Sequence, residues 1–402
     1  MLRKIVGMIV CFSMIFTLVG CSDKENSEAK VTDADFEEIV KTAEGTTVNF
    51  YGYGGDEVMN KWFDSYVIPQ MKEKYNITVK RTGMNIDEIM NMMLSDKQAG
   101  NTEGNIDVVW INGENFKTAK ESNLLLGSFT DKLPSYNNYV NTESEDVTTD
   151  FGVSTDGMEA PWGKSQFTVV YDSNRKNRNI TDSESLKNFV KSNPGKFTYP
   201  VVSDFTGSAF VRNIIYDIVG YEKVSSLPED KEKVKEAIQP AIDYLNEIKA
   251  YLWNKGKTYP ADLSQLDNMY SDGEVDATMT YNCNSIRGKI DTGEFRDSSK
   301  ITEFKNGNIT NVHFLSMPFN TQNQEGAMVL IDFLMSPEAQ ASKTFTENWG
   351  DATVLDMDKL SDKEKKEFSA DSVVIEKSVP EPSAGMVSII EEIWTDEVLN
   401  AK

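Results

Sequence analysis

The segment TVNFYGYGGDEVMNKWF, residues 47 to 63, joins an apolar stretch to a helix through a glycine-rich turn. Thr47 to Phe50 predicts a strand, and Val58, Trp62 and the residues after them recur at helical spacing until Pro69 kinks or ends the helix. Ligands of open α/β sheets bind where strands end. The segment therefore predicts an α/β lobe with a ligand-facing turn after its first strand.

The same alternation continues along the chain. Apolar runs at 77–79 and 106–111 predict two more strands, and Asn85 begins a helix between them that stops at Gly100. This β-α-β-α-β pattern predicts a lobe over roughly 46–160. A second α/β stretch follows, with strands at 167–171, 199–202, 276–281 and 312–320, a helix opening at 206–208, and a helix over 234–248 with a kink at Pro240.

The N-terminus predicts export. Arg3 and Lys4 precede an apolar run from 5 to 19, which is short of the roughly 20 residues that span a membrane and typical of a signal peptide. A transmembrane anchor is the alternative. The following residues, SDKENSEAK (22–30), predict a flexible tether.

Charge and cysteine content narrow the class of protein. The formal charge of the chain is −23, and it becomes about −25 when Arg3 and Lys4 leave with the signal. Nucleic acid is not an expected partner, because binding it needs basic patches. Only Cys283 follows Cys21, so no disulfide framework is expected.

Patterns of catalytic residues are absent from the sequence. A single histidine, His313, excludes a two-histidine zinc motif, and its alternating apolar run predicts a structural role. The segment GMEAPWGKS (157–165) ends like a phosphate-binding loop, but five residues separate its glycines instead of four. We therefore predict no catalytic residue, no metal site and no cofactor.

Polar, aromatic and glycine residues cluster where predicted strands end. Any one cluster is explained by turn and cap chemistry, and Asp56 in particular could cap a helix or face a ligand. Four clusters in two lobes predict a cleft. They are 51–56, 112–115, 204–208 and 281–284.

Four segments resemble family 1 of the extracellular solute-binding proteins, the lipoproteins that serve ABC importers. They are DVVWINGENF (107–116), PWGKSQFTVVYDSNR (161–175), FNTQNQEGAMVLIDFLMSPEAQA (319–341) and WGDATVLDMDKL (349–360). The first, second and fourth resemble a branch often labelled as putative thiamine-type importer components. The tetrad Leu-Val-Gly-Cys at 18–21 likewise resembles a lipobox, which implies that Cys21 is acylated.

The resemblance implies a type II periplasmic-binding-protein-like fold, with two α/β lobes joined by hinge strands near 166–171 and 312–319. It implies a signal peptide over 1–20, a lipidated tether over 21–45, lobe one over 46–165 plus 313–402, and lobe two over 166–312. The expected partners are a small-molecule solute, the membrane permease of an ABC importer, and the membrane through Cys21. We expect a monomer anchored on the outer face of the bacterial cell membrane.

The residue types near the predicted cleft favour a small polar solute that is cationic or aromatic. Aromatic faces and carboxylates bind organic cations, whereas an anion would need arginine forks or several lysines. A sugar or a metal ion remains an alternative solute, and a surface-anchored hydrolase is the alternative from another class. The candidate ligand-binding residues are Tyr51, Tyr53, Gly54, Gly55, Asp56, Trp110, Asn112, Gly113, Glu114, Asn115, Trp162, Gln166, Thr206, Gly207, Ser208, Tyr281, Trp349 and Asp351.

Overall fold

The structure is a computed structural model that describes residues 30–370, 375 and 377–401. The expected signal peptide and the acylated Cys21 lie outside the described residues. None of the helices in the described ranges is long and apolar enough to span a membrane.

The strands form one six-stranded sheet, one three-stranded sheet and a two-stranded hairpin. In chain order they are β1 Thr47–Gly52, β2 Thr78–Gly83, β3 Val108–Ile111, β4 Thr149–Asp150, β5 Val153–Ser154, β6 Glu159–Gln166, β7 Thr168–Asp172, β8 Ala277–Thr280, β9 Ser299–Ile301, β10 Asn308–Ser316 and β11 Ser378–Pro380.

Helices cover both sheets. They are α1 Phe36–Ala43, α2 Glu57–Trp62, α3 Ile68–Tyr75, α4 Ile86–Ala99, α5 Gly113–Glu121, α6 Pro134–Tyr139, α7 Glu145–Thr148, α8 Ser183–Ser192, α9 Phe205–Val219, α10 Tyr221–Ser225, α11 Lys231–Lys249, α12 Leu263–Ser271, α13 Ser285–Asp291, α14 Gln324–Leu334, α15 Pro337–Lys343, α16 Asp362–Lys365 and α17 Ala384–Trp394. A π-helical turn, Phe63–Val67, joins α2 to α3, and another, Thr395–Leu399, follows α17.

The six-stranded sheet carries lobe one. Its order is β11-β10-β3-β1-β2, with β6 also paired to β10. Strands β1, β2 and β3 run parallel, as the alternating pattern predicts, whereas β10 runs antiparallel to β3 and β6. The parallel strands therefore end at the same edge, and this edge faces lobe two.

Strands β6 and β10 pass from one hydrophobic core to the other. Trp162 of β6 lies in the first core, and Phe167, directly after β6, lies in the second. Strand β10 begins in the second core at Ile309 and reaches the first at Val312. The passages therefore lie at 165–167 and 309–312, close to the expected hinge segments.

The C-terminal segment differs from its expected position in lobe one. Met386, Ile390, Ile393 and Trp394 belong to the second core, and β11 pairs with the first residues of β10. The apolar face of α17 is buried against lobe two, so 313–402 is divided between the lobes.

The expected tether is also shorter than 21–45. Helix α1 buries Ile39 and Ala43 completely in the first core, and Thr32 donates its N–H to Gln324 at 2.9 Å. These contacts place the segment from Thr32 onward on lobe one.

Proline affects two of the sequence predictions, a strand at 199–202 and a helix kinked or ended at Pro69. Residues 199–202 form no strand, because Pro200 has no N–H to donate and Tyr199 packs on Phe210, Tyr259 and Trp394 instead. Pro69 does not end its helix. The π-helical turn before it allows α3 to continue to Tyr75.

The placement of α17 gives the first testable prediction. Ile390→Ala should lower the free energy of unfolding by about 2–5 kcal/mol, because it empties a fully packed position in the second core. Ile389→Ala removes the same atoms from a half-buried position on the same helix and should cost less. Denaturant unfolding measures both; equal losses would contradict this packing.

Candidate functional site

The lobes meet at the edge where the parallel strands end, and we call this contact the interlobe interface. Lobe one contributes the turn after β1 and the start of α5. Lobe two contributes the starts of α9 and α13 and the helix α12. One direct bond across the interface runs from Asn282 Nδ2 to the carbonyl oxygen of Trp349, at 2.9 Å.

Asp56 caps a helix, one of the two roles that the sequence left open. Its Oδ1 accepts the N–H groups of Val58 and Met59 at 3.0 Å each, and its Oδ2 accepts Trp349 Nε1 at 3.2 Å. Burial raises the pKa of Asp56, and the positive charge of Lys289 in lobe two acts in the opposite direction. Both carboxylate oxygens of Asp56 are therefore occupied within the protein.

The paired glycines allow close packing within the protein. A Cβ on Gly54 would lie 2.7 Å from Cα of Gly83, so this position tolerates only glycine. A Cβ on Gly55 would overlap the Tyr53 hydroxyl and lie 2.9 Å from Oγ of Ser264 in α12. The turn after β1 thus packs against β2 and lobe two.

Asp204 occupies the start of α9. Its Oδ1 accepts the N–H groups of Thr206 and Gly207 at 3.0 and 2.9 Å, and burial raises its pKa. Thr206, Gly207 and Ser208 are buried, and a Cβ on Gly207 would overlap the carbonyl groups of the preceding turn. The N–H groups of Thr206 and Gly207 at this helix end are therefore satisfied within the protein.

A third carboxylate accepts a hydrogen bond from the start of α5. Asp150 accepts the N–H of Gly113, and burial raises its pKa well above the ordinary value. Glu114 follows in the same helix, and burial raises its pKa too. Glu114 Oε2 is buried and has no hydrogen-bond partner among the described residues.

Arg212 of α9, which the sequence analysis did not single out, organises the polar groups opposite Glu114. Its guanidinium is 1% exposed and forms a bidentate ion pair with Glu381, with distances of 2.8 Å from Nε and 3.0 Å from Nη2. Tyr281 donates its hydroxyl to the same carboxylate at 2.7 Å. The positive charge of Arg212 is therefore already paired with a carboxylate of lobe two.

Glu391 of α17 also faces this cluster. Ser208 Oγ donates to Glu391 Oε1 at 2.5 Å. Burial raises the pKa of Glu391 to about 7; the charge of Arg212 acts against this rise and that of Glu114 adds to it.

Most of the tryptophans that were expected to contact the solute lie in the hydrophobic core instead. Trp162 is fully buried and Trp349 is 2% exposed. Their ring centroids lie 5.0 Å apart, and Trp349 also stacks on Trp62 at 5.7 Å. Neither ring face is open to a solute in this arrangement. Trp110, which is half-buried and packs edge-on against Trp162, keeps part of its ring exposed.

Asp351 is a structural carboxylate in this structure. Its Oδ2 accepts Lys343 Nζ at 2.5 Å, and the side chains are 1% and 0% exposed. His313 Nε2 lies 3.5 Å from Asp351 Oδ1, and its ring stacks on Trp349. The structural role predicted for His313 agrees with this packing, whereas a role for Asp351 in binding solute does not.

Gln166 binds Ile375, which precedes β11, through its side-chain amide. Its Oε1 accepts the N–H of Ile375 at 2.9 Å, and its Nε2 donates to the carbonyl of Ile375 at 3.0 Å. Because both ends of the amide are used, Gln166 is better placed to position Ile375 than to bind a solute.

The remaining candidates lie at the same edge. Asn112 Nδ2 donates to the carbonyl of Val312 at 2.5 Å, and Asn115 Nδ2 contacts Glu114 Oε1 at 3.4 Å. Tyr51 is half-buried against the helices on the outer face of the sheet. In the described part of the chain, no group of three His, Cys, Asp or Glu residues is arranged to hold a metal ion.

Two surface cavities lie on lobe two, away from the interface. One, of about 360 Å³, is lined by arginine, asparagine and serine between Arg175 and Asn188. The other, of about 290 Å³, lies between α8 and α11. Neither is lined by a candidate ligand-binding residue.

Two α/β lobes, joined by strands that pass between them, define the type II periplasmic-binding-protein fold. Solved structures agree. AfuA from Actinobacillus pleuropneumoniae, with fructose-6-phosphate bound, aligns at TM-score 0.64 and 11% identity over 89% of this chain and 99% of its own. The spermidine/putrescine transporter substrate-binding protein PotD from Streptococcus pneumoniae aligns at TM-score 0.60 and 14% identity over 89% and 100%.

The chain belongs to the bacterial extracellular solute-binding protein family, whose model matches residues 67–363. Protein YnjB of Escherichia coli K12 is 33% identical over 364 residues, which are 90% of this chain and 93% of that protein. The chain is thus an extracellular solute-binding protein by family, and this confirms the prediction that it is not an enzyme.

The buried pair of Lys343 and Asp351 gives the second prediction. Asp351→Asn should lower the free energy of unfolding by about 3–5 kcal/mol, because Lys343 is left charged and buried without its partner. Asp358→Asn, at an exposed position nearby, is the control and should change little.

The loss should also depend on pH. Burial lowers the pKa of Lys343, and Asp351 opposes this. Without Asp351 that pKa falls further, so the unfolded chain binds more protons and the deficit should shrink from pH 7 to pH 9. Chemical denaturation at both pH values measures the difference between variant and wild type. A deficit that grows with pH would contradict the pairing.

Proposed function

We propose that this protein captures an organic cation at the interlobe interface and delivers it to the membrane permease of an ABC importer. The observation that carries the proposal is that N–H groups at three helix starts of the interface are hydrogen-bonded to carboxylates of the protein. Helix N-termini are ready-made anion sites, because their first N–H groups point outward without partners. Here α2 and α9 each direct two such groups to a carboxylate of the protein, Asp56 and Asp204, and α5 directs its first, the N–H of Gly113, to Asp150.

The basic groups at the interface are already paired. Arg212 binds Glu381, and Lys289 Nζ binds Asp267 Oδ2 at 2.7 Å. An incoming phosphate or carboxylate would have to break one of these ion pairs. A cation finds the buried Glu114 Oε2, which has no hydrogen-bond partner among the described residues.

The fold does not select the solute. The names of the two structural neighbours refer to a sugar phosphate and to polyamines, so the same fold accepts opposite charges. The local chemistry must decide, and here it favours positive charge. A sugar remains the second candidate because Trp110 keeps part of its ring exposed.

Glu114→Gln provides the test. Loss of a charge-assisted hydrogen bond costs about 1.5–3 kcal/mol, so cation affinity should fall about 10- to 150-fold. We would measure it by calorimetry at pH 8 with putrescine, spermidine, thiamine and choline. A neutral isostere of the cation that binds best should lose less, because it has no Coulombic partner in the carboxylate.

Glu121→Gln, at an exposed position on the same helix, is the matched control and should bind as wild type does. Equal losses for cation and isostere would make Glu114 a simple acceptor and favour a sugar. Tighter binding after neutralisation would indicate an anionic solute.

We also propose that the mature protein is a monomer held on the outer face of the cell membrane by lipid on Cys21. The family is extracellular, and the apolar run before Cys21 supports the anchor. Cys21→Ser should leave the protein unprocessed or release it from the membrane fraction, as immunoblots of fractionated cells would show. Membrane attachment of a cleaved, unmodified chain would contradict the anchor.

A further inference from the structure

Phe205 is an aromatic residue of the interlobe interface that keeps a large share of its surface exposed. It is the first residue of α9, directly after the cap Asp204, and it is 37% exposed, whereas the three residues that follow it are buried. Among the described residues, only two other aromatic side chains are as exposed, Tyr53 and Tyr251. Burial of a phenylalanine side chain is favourable, so this exposed ring is a surface that another molecule can cover with a gain in free energy.

The ring of Phe205 contacts aromatic residues of both lobes. Its centroid lies 5.1 Å from that of Tyr281 in lobe two and 6.1 Å from that of Phe151 in lobe one. The guanidinium carbon of Arg212 lies 6.0 Å from the centroid of Phe205 and 5.9 Å from that of Phe151. Because neighbours from both lobes surround the ring, its exposed part opens at the interlobe interface.

Phe151 reaches Phe205 from a strained turn. It is the first of the two residues that connect β4 to β5, and the φ angles of Phe151 and Gly152 are +45° and +73°. Such turns favour asparagine and glycine, because a side chain is unfavourable at positive φ. Phe151 is nevertheless 5% exposed and packs on Ala384 and Val387 of α17. Strain of this kind is concentrated at functional sites, where the surrounding structure maintains it.

The same hairpin also fixes the start of α5. A Cβ on Gly113 would lie 3.2 Å from the ring of Phe151, and Asp150 accepts the N–H of Gly113. Glu114, the carboxylate on which the proposed function depends, is the next residue of this helix. The aromatic contact between the lobes therefore adjoins the proposed solute site.

We propose that Phe205 is the aromatic wall of the solute site, held in position by Phe151, and that the solute presents a flat ring or a quaternary ammonium group to it. This inference rests on the proposed function and names the class of cation. A ring face stacks on another ring or attracts a cation, and the attraction is strongest for a cation that loses its water easily. Aromatic and quaternary ammonium cations meet this condition, whereas the primary ammonium groups of a polyamine are strongly hydrated.

Calorimetry at pH 8 with the four cations named above tests the contact. Phe205→Leu keeps an apolar side chain and removes the ring, so affinity for thiamine and choline should fall about 2- to 30-fold. Affinity for putrescine and spermidine should fall less. Phe205→Tyr keeps the ring and should bind all four cations as wild type does.

Two further variants separate the ring contact from general packing. Tyr251→Leu is the matched control, because Tyr251 is also 37% exposed but lies beside Lys191 of α8; it should leave all four affinities unchanged. Phe151→Leu removes the supporting ring without changing the backbone strain, since leucine is equally unfavourable at positive φ. It should weaken binding less than Phe205→Leu does, and in the same order of cations. Thermal melts establish that each variant is folded.

The outcomes distinguish this inference from the proposed function. Wild-type affinities in Phe205→Leu would overturn the ring contact, and the proposed function would stand if Glu114→Gln still weakens binding. Equal losses for all four cations, or a loss in Phe205→Tyr as large as in Phe205→Leu, would equally overturn it. Failure of all four cations to bind folded wild-type protein would contradict the proposed function itself.

Discussion

The antiparallel pairing of β6 with β10 is the constraint on which the rest of the structure depends. The register runs from Thr310 opposite Gln166 to Ser316 opposite Glu159. Because both strands pass from one core to the other, this ladder fixes how the lobes face each other. Gln166, at the end of β6, also binds Ile375 through its side-chain amide. The loops that end the parallel strands meet lobe two as a consequence.

Much of the fold could be predicted because it is encoded locally. The strand, turn and helix of 47–63 appear as expected, and Asp56 caps α2 as one of its two predicted roles. The α/β class and the two lobes are confirmed by the family and the neighbouring structures. The position of α17 could not be predicted, since the apolar pattern of a helix does not identify the lobe against which it packs.

The site was less predictable because its charged groups pair over long separations. Arg212 and Glu381 are 169 residues apart, and nothing near either residue identifies the other. Aromatic residues at strand ends were expected to face the solute. Trp162 and Trp349 are residue types that often line binding sites, yet both are buried in the hydrophobic core. Carboxylates showed a similar ambiguity: Asp351 is neutralised by Lys343, whereas Glu114 keeps an oxygen without a partner among the described residues.

The acidity of the whole chain, with a formal charge of −23, contributes little to selectivity. Exposed charges act over a Debye length of about 8 Å at physiological salt. Buried carboxylates at the interlobe interface act at contact and in low dielectric, where each interaction is stronger. Under the proposed function, local charge rather than net charge therefore determines which solute is favoured.

A crystal structure with the tightest-binding of the four cations tests the central claim most directly. The account predicts the solute between the lobes, with its charged nitrogen about 3 Å from Glu114 Oε2. The ion pair of Arg212 with Glu381 should remain intact. A cation bound outside the interface, or an anion from the buffer bound to Arg212 in its place, would contradict it.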